Sequence, residues 1–160
     1  MIDKQYLLKL IKTETTTTLK VMRAYPEDKL EFVPHARSST AKKIMSTCLF
    51  GMYLINSYVF EENLDRTIFQ TYSPDKLATL LADFQQASSH VIERVGRLTP
   101  SDLSKSFDFV GRKMAADEFI VGMILDQVHH RGQLSVYIRL AGGKVPSIYG
   151  PSADDPPKKQ

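Results

Sequence analysis

Apolar residues recur at every third or fourth position in four long stretches of this chain, the spacing of one face of an α-helix. From about Asp3 to Ala24 that face is Tyr6, Leu7, Leu10 and Ile11, then Leu19, Val21 and Met22. Asp3 is placed to cap the helix. Thr15 to Thr18 interrupt it with residues whose branched Cβ weakens helices; their hydroxyls read as a tolerated polar face or as the lining of a pocket. Pro26 ends the stretch, because the residue before a proline is pushed out of helical geometry. A second helix is expected from a cap at Ser38 or Ser39 to about Phe60, carried by Ile44, Met45, Cys48, Leu49, Met52, Leu54, Ile55 and Val59. Gly51 inside it costs about 1 kcal/mol relative to alanine, so it marks close packing or a need for room.

A third helix is predicted to begin with Ser73 as cap and Pro74 at its first position. Leu77, Leu80, Leu81, Phe84, Val91, Ile92 and Val95 continue it to near Gly96. The fourth starts at Ala115 or Ala116 and is stopped by Gly142-Gly143, as glycine just past a helix end should. Between these, residues 61–72 form a long polar connection, Thr99-Pro100-Ser101-Asp102 a short turn, and Ser106 to Val110 an extended piece. Ile148 to Pro151 is expected to fold back, and Asp154 to Gln160 reads as a disordered tail. Four amphipathic helices without a convincing set of strands imply an all-α four-helix bundle over residues 1–153. The connection between the second and third helices is long enough to cross that bundle.

The fourth helix holds the chemistry. Phe119, Met123, Asp126, His130, Gln133, Tyr137 and Leu140 form one line along it, and that line is expected to face the core. A carboxylate and an imidazole there need a hydrogen bond, a metal ion or a water-filled pocket to offset their burial. Four residues apart on one helix, Asp126 and His130 can present two ligands in one direction; the same spacing also serves an ordinary exposed pair worth a few tenths of a kcal/mol. His129 points about 100° away and reads as a surface histidine. His35 and His90 read as structural or solvent-facing, and Cys48 as a buried, inert thiol.

Composition narrows the function classes. At 160 residues the chain is long enough for one domain with a real core. Its net charge of +3 is small, and its Lys and Arg residues form no stripe beside aromatic residues, so nothing marks a nucleic-acid surface. One cysteine excludes an intramolecular disulfide and fits a reducing cytoplasm. No signal-peptide core and no run of membrane-spanning length is present, so a soluble cytoplasmic protein that binds neither membrane nor nucleic acid is expected. Phosphate-binding glycine loops, the Gly-x-Ser-x-Gly elbow and paired-cysteine zinc motifs are absent from the sequence.

His129-His130-Arg131-Gly132-Gln133, running on to Arg139 and followed by Gly142-Gly143-Lys-Val-Pro146-Ser-Ile-Tyr149-Gly150, resembles the C-terminal signature of the DinB/YfiT-like superfamily. Leu30-Glu31-Phe32-Val33-Pro34 and Ser38-Ser-Thr-Ala41 resemble the way its second helix begins. The resemblance implies a four-helix bundle with a long crossover, commonly a homodimer. It also implies a divalent metal, zinc or nickel, held by one histidine of the second helix and two histidines four apart on the last. Related activities would be thiol-dependent transfer with a low-molecular-weight thiol cosubstrate, or hydrolysis, on a small-molecule ligand. Matched position by position, one histidine falls on His130, while the others fall on Asp126 and Thr47. The expected metal ligands are therefore Asp126 and His130, and the expected pocket lining is Thr47, Met123, Gln133 and Tyr137. The alternative is a non-catalytic dimeric bundle whose vestigial site binds a small ligand or a protein partner.

Overall fold

The computed structural model describes residues 2–157. Four helices form the bundle: α1 (Lys4–Arg23), α2 (Ala41–Val59), α4 (Leu77–Arg97) and α6 (Ala116–Leu140). Two short helices, α3 (Ile68–Thr71) and α5 (Pro100–Ser104), and a hairpin of β1 (Ser106–Phe109) and β2 (Arg112–Ala115) lie in the connections. α1 packs against α4 and α6, and α2 against the same two, so α1 and α2 sit on one diagonal and α4 and α6 on the other.

Bonds at the ends fix the directions. The Ile2 amide donates to Asp117 Oδ2 at the start of α6, and beyond the far end a side chain at Gly143 would meet Ala24 and Pro26; α1 and α6 are parallel. Lys4 Nζ donates to the carbonyls of Gly96 and Leu98 at the end of α4, which runs the other way. Tyr137 OH donates to Ser39 O while Gly51 lies against Met123, so α2 opposes α6. Helices α2 and α4 therefore run the same way, and residues 60–76 must return along the bundle between them. This is the crossover that the length of that connection predicts.

The sequence signals locate helix ends unevenly. Asp3 caps α1, its carboxylate accepting from Tyr6 N at 2.9 Å. Thr99 and Asp102 close a reciprocal capping box on α5. Gly142, with φ of 85°, ends α6 in the left-handed conformation glycine tolerates. Other starts need correction. α2 is capped by Thr40, which accepts from Lys43 N, rather than by Ser38 or Ser39. α4 begins at Leu77, not at Pro74, because the Glu27 carboxylate, from the segment that follows the neighbouring α1, takes the Leu77 amide at 3.1 Å.

The hairpin is a further departure. The extended reading of 106–110 holds for β1, but its partner β2 went unpredicted. The turn is Val110-Gly111, both at positive φ, and β-branched Val110 carries none of the Asn or Asp that signals such a turn. Phe107 and Phe109 of β1 pack with Tyr58 and Phe119, ring centroids 4.9–5.5 Å apart, closing one end of the core. At the other end the expected disordered tail is anchored where it begins. Asp154 accepts from Val145 N and Arg139 Nε, and Asp155 from Ser147 N; residues 158–160 lie outside the described residues.

Candidate functional site

α6 carries apolar residues on every side over its first ten positions, so its spacing alone does not say which face is inward. The structure turns inward the line Ile120, Ile124, Gln127, Arg131, Leu134 and Ile138. The expected core line is rotated to the boundary: Phe119 and Tyr137 are buried, but the Asp126 side chain is 46% exposed, that of His130 20%, and Leu140 lies largely in solvent. The sequence reading was thus about 100° off round the helix.

That rotation makes Arg131 the largest fully buried side chain. It is held by α1 and the C-terminal segment. Nη2 donates to Glu14 Oε2 at 2.7 Å and to Tyr149 OH, and Nη1 donates to Glu14 O and Thr18 Oγ1, both at 3.2 Å. Tyr149 OH in turn donates to Glu14 Oε2, and Thr18 Oγ1 to Gln127 Oε1. Most of the Tyr149 ring stands in solvent, but desolvation of its hydroxyl end, and then the bond to Glu14, push the phenol up from its ordinary range, so it stays a donor at neutral pH. The threonine run earns its place here: Thr15 and Thr18 face the interior, while Thr16 is exposed.

His130 faces a different space. A cavity of about 340 Å³ lies where α6, α2 and the loop before α2 meet. α6 contributes His130, Gln133 and Tyr137; α2 contributes Ile44 and Thr47; the loop contributes Arg37, Ser38 and Ser39. Thr47, Gln133 and Tyr137 were expected there and are brought together. Met123 is not: it is half-buried against the core and lies away from this lining, because it sits two turns before His130. The loop residues were missed, as nothing in Arg37-Ser38-Ser39 marks a site until Tyr137 OH pins the Ser39 carbonyl at 3.1 Å.

A chain of contacts sets the imidazole. Gln133 Nε2 lies 3.2 Å from His129 Nε2, and Gln133 Oε1 lies 2.8 Å from His130 Nδ1. With the amide donating to His129, Oε1 accepts from Nδ1–H, an arrangement that in a neutral imidazole puts the lone pair on Nε2. That nitrogen stands 3.5 Å from Asp126 Oδ2. Thr47 Oγ1 donates back to Lys43 O at 3.0 Å, so toward a bound molecule it can only accept. His35 is exposed in its loop, where Nδ1 accepts from Arg37 N, and does not reach the pair. Cys48 is buried as expected, and burial together with the Asp126 charge pushes its thiol far above the ordinary range, which disfavours the nucleophilic thiolate. Among the described residues no three His, Cys, Asp or Glu side chains stand close enough to share one ion.

A bundle with this crossover and a histidine cavity between its second and last helices defines a recognisable class. The DinB family model matches residues 1–159, and the chain belongs to the DinB family. It is 27% identical over 155 residues to the uncharacterized protein YrdA of Bacillus subtilis, covering 94% of this chain and 90% of that protein. The crystal structure of a DinB-like protein from Bacillus cereus superposes with a TM-score of 0.80 at 25% identity, over 89% of this chain and 95% of that one. YfiT from Bacillus subtilis, described as a probable metal-dependent hydrolase with an unusual four-helix bundle topology, superposes with a TM-score of 0.69 at 11% identity, over 89% and 91% of the two chains. That likeness is one of fold. None of the helices in the described residues is long and apolar enough to cross a membrane.

Proposed function

We propose that this DinB-family protein acts on a small molecule held in the His130 cavity, with an exchangeable divalent ion, zinc or nickel, at His130 and Asp126. The observation that carries the proposal is a pair of facing acceptors. With Nδ1–H committed to Gln133, a neutral His130 turns its Nε2 lone pair toward the Asp126 carboxylate at 3.5 Å. Two acceptors in that position need a proton or a cation between them. Donors at about 2.0–2.2 Å from a tetrahedral ion stand about 3.4 Å apart, so the donor set fits a cation. Two protein donors fit a weakly held ion with open positions rather than a structural one.

When bound, such an ion lowers the pKa of a coordinated water or thiol enough to make it a nucleophile at neutral pH; hydrolysis or thiol-dependent transfer would follow from which of the two is present. The chain's own residues do the rest. Gln133 holds the imidazole in the tautomer that leaves Nε2 available. Arg37 sets a guanidinium at the rim, suited to an anionic end of the substrate. Thr47 Oγ1 is free to accept from a donor elsewhere on the substrate, and Tyr137 fixes the loop that lines the cavity. A homodimer belongs to the same reading. Its support is the outer side of α6, where Leu125 and Val136 are exposed and Gly122 and Gly132 have open space above them.

The alternative, a non-catalytic bundle that binds a ligand in this cavity, draws on Thr47 standing where a third ligand would be needed. Metal content of untagged protein by mass spectrometry, before and after addition of zinc and nickel, separates the two. Near-stoichiometric metal that disappears in His130→Ala supports the metal reading. Wild-type protein that takes up neither ion overturns it and leaves the ligand-binding reading.

A further inference from the structure

Two further cavities open beside α2, away from His130, one between α2 and α4 and the other between α2 and the crossover connection. The first, of about 360 Å³, is lined by Tyr53, Asn56, Asp83, Gln86, Ala87 and His90. The second, of about 280 Å³, shares Tyr53 and Asn56 and continues past Glu62 to Leu64 and Ile68. The two shared residues make one elongated groove with a polar end and an apolar end.

Three features give it a chemistry. Asn56 is only 8% exposed, and its Oδ1 is buried without a hydrogen-bond donor among the described residues. A buried acceptor left so is destabilising, and a donor supplied by a ligand would offset that loss. Asp83 is half-buried at the same end. Its Oδ2 accepts from Tyr72 OH at 2.6 Å, and no basic side chain among the described residues pairs with it. Glu62, by contrast, is neutralised at the far rim. The left-handed turn at Glu61, φ 58°, returns the chain so that Glu62 N donates to Asn56 O. This brings the Glu62 carboxylate onto His90 Nε2 at 3.0 Å and Arg94 Nη1. One end thus offers an uncompensated carboxylate, an orphan amide oxygen and the Tyr53 ring. The other offers Leu64 and Ile68 beside a neutralised wall.

We infer that this groove binds a small organic amine with a hydrocarbon body. Its ammonium sits at Asp83 and Asn56 against Tyr53, and its chain lies along Leu64 and Ile68. An aliphatic amine is protonated at neutral pH, as a lysine is, so it brings three donors and a charge to a place that lacks both. An alcohol of the same length brings neither the charge nor the extra donors, and a carboxylate would meet Asp83 with like charge.

The test uses hexylamine, hexan-1-ol and hexanoate as probes on the full-length protein, followed by titration calorimetry and by NMR shifts of backbone amides. Hexylamine is expected to bind in the millimolar range or tighter and to move the amides around Tyr53, Asn56, Asp83 and Ile68, with hexan-1-ol far weaker and hexanoate silent. Asp83→Asn keeps the side-chain shape and an acceptor for Tyr72, and should weaken hexylamine at least roughly tenfold, the scale of losing the charged partner of a desolvated ion. His130→Ala should bind it as wild type does. Equal affinity for amine and alcohol, indifference to Asp83→Asn in a protein with a native circular-dichroism spectrum, or loss of binding in His130→Ala would each overturn the assignment.

Discussion

On α6 the Arg131 side chain runs inward to Glu14, Thr18 and Tyr149, whereas His130, one residue earlier, faces a cavity partly open to solvent. Both are polar, both belong to one short motif, and each has a carboxylate nearby. The Arg131–Glu14 pair is 2.7 Å apart with side chains 2% and 9% exposed. The His130–Asp126 pair is 3.5 Å apart, and nothing else in the described residues completes it. A buried ion pair survives only when its charges are paired and hydrogen-bonded, and α1 and the C-terminal segment supply those bonds to Arg131, while Gln127 Nε2 beside it is buried without a partner among the described residues. The outer group is left incomplete beside a space that can admit a ligand. Adjacent residues on a helix are separated by about 100°, which is enough to divide one motif into a structural clamp and a candidate site.

The sharpest way to break this contrast is Arg131→Ala. It strands Glu14 in the interior and should lower unfolding free energy by about 3–5 kcal/mol, read from the urea midpoint. The paired change Glu14→Leu with Arg131→Met should recover much of that loss, since an apolar pair of similar volume leaves no buried charge. If Arg131→Ala unfolds at the wild-type midpoint, the inner group is not a clamp.

Gln133→Leu probes the outer group. It should leave the urea midpoint nearly unchanged and lower zinc or nickel affinity by on the order of 10–100-fold, the usual effect of removing the partner that orients a ligating histidine. A large stability loss with unchanged metal affinity would reverse the roles assigned to the two groups.

Tyr149→Phe removes the hydroxyl that joins the C-terminal segment to Arg131 and Glu14. A loss of about 1 kcal/mol is expected, with metal uptake as in wild type. The mildest test is alkaline pH. Burial, then the Tyr137 and Asp28 charges, push the Tyr25 phenol to about 12, and Tyr149 is raised as well. Both exceed the value near 10 of an unfolded tyrosine. Their protonated forms therefore favour the fold below about pH 10, and that contribution is lost as pH climbs toward 12. Urea midpoints across this window should fall in wild type, and less steeply in Tyr149→Phe.

Much of the bundle was legible because its signals are local. A carboxylate three residues before an amide caps α1 at Asp3, and a glycine free to take positive φ ends α6 at Gly142. The α4 start was misread because its decisive partner, Glu27, is 50 residues away. The hairpin was missed because Val110 is an unfavourable residue in its own turn. At the site, His130, Gln133, Thr47 and Tyr137 were found by spacing and by the family signature. Met123 was included because an unbroken line was assumed to face one space. Arg131 and Glu14 were overlooked because a charged residue flanked by polar neighbours reads as surface until a second helix is laid against it.

By itself the sequence determined four helices, their approximate lengths, a crossing connection and the presence of one histidine where related chains suggest a ligand. These follow from periodicity and capping, which act within a few residues. Tertiary structure decided the rotation of α6, and with it which polar residues are buried, which line a cavity, and that Asn56, Asp83 and Tyr53 share a groove. An α6 whose first ten positions carry apolar residues on every side gains similar burial there in several orientations. The orientation is chosen by the one partner arrangement, Glu14, Thr18 and Tyr149, that satisfies the Arg131 guanidinium, and those residues come from the opposite ends of the chain.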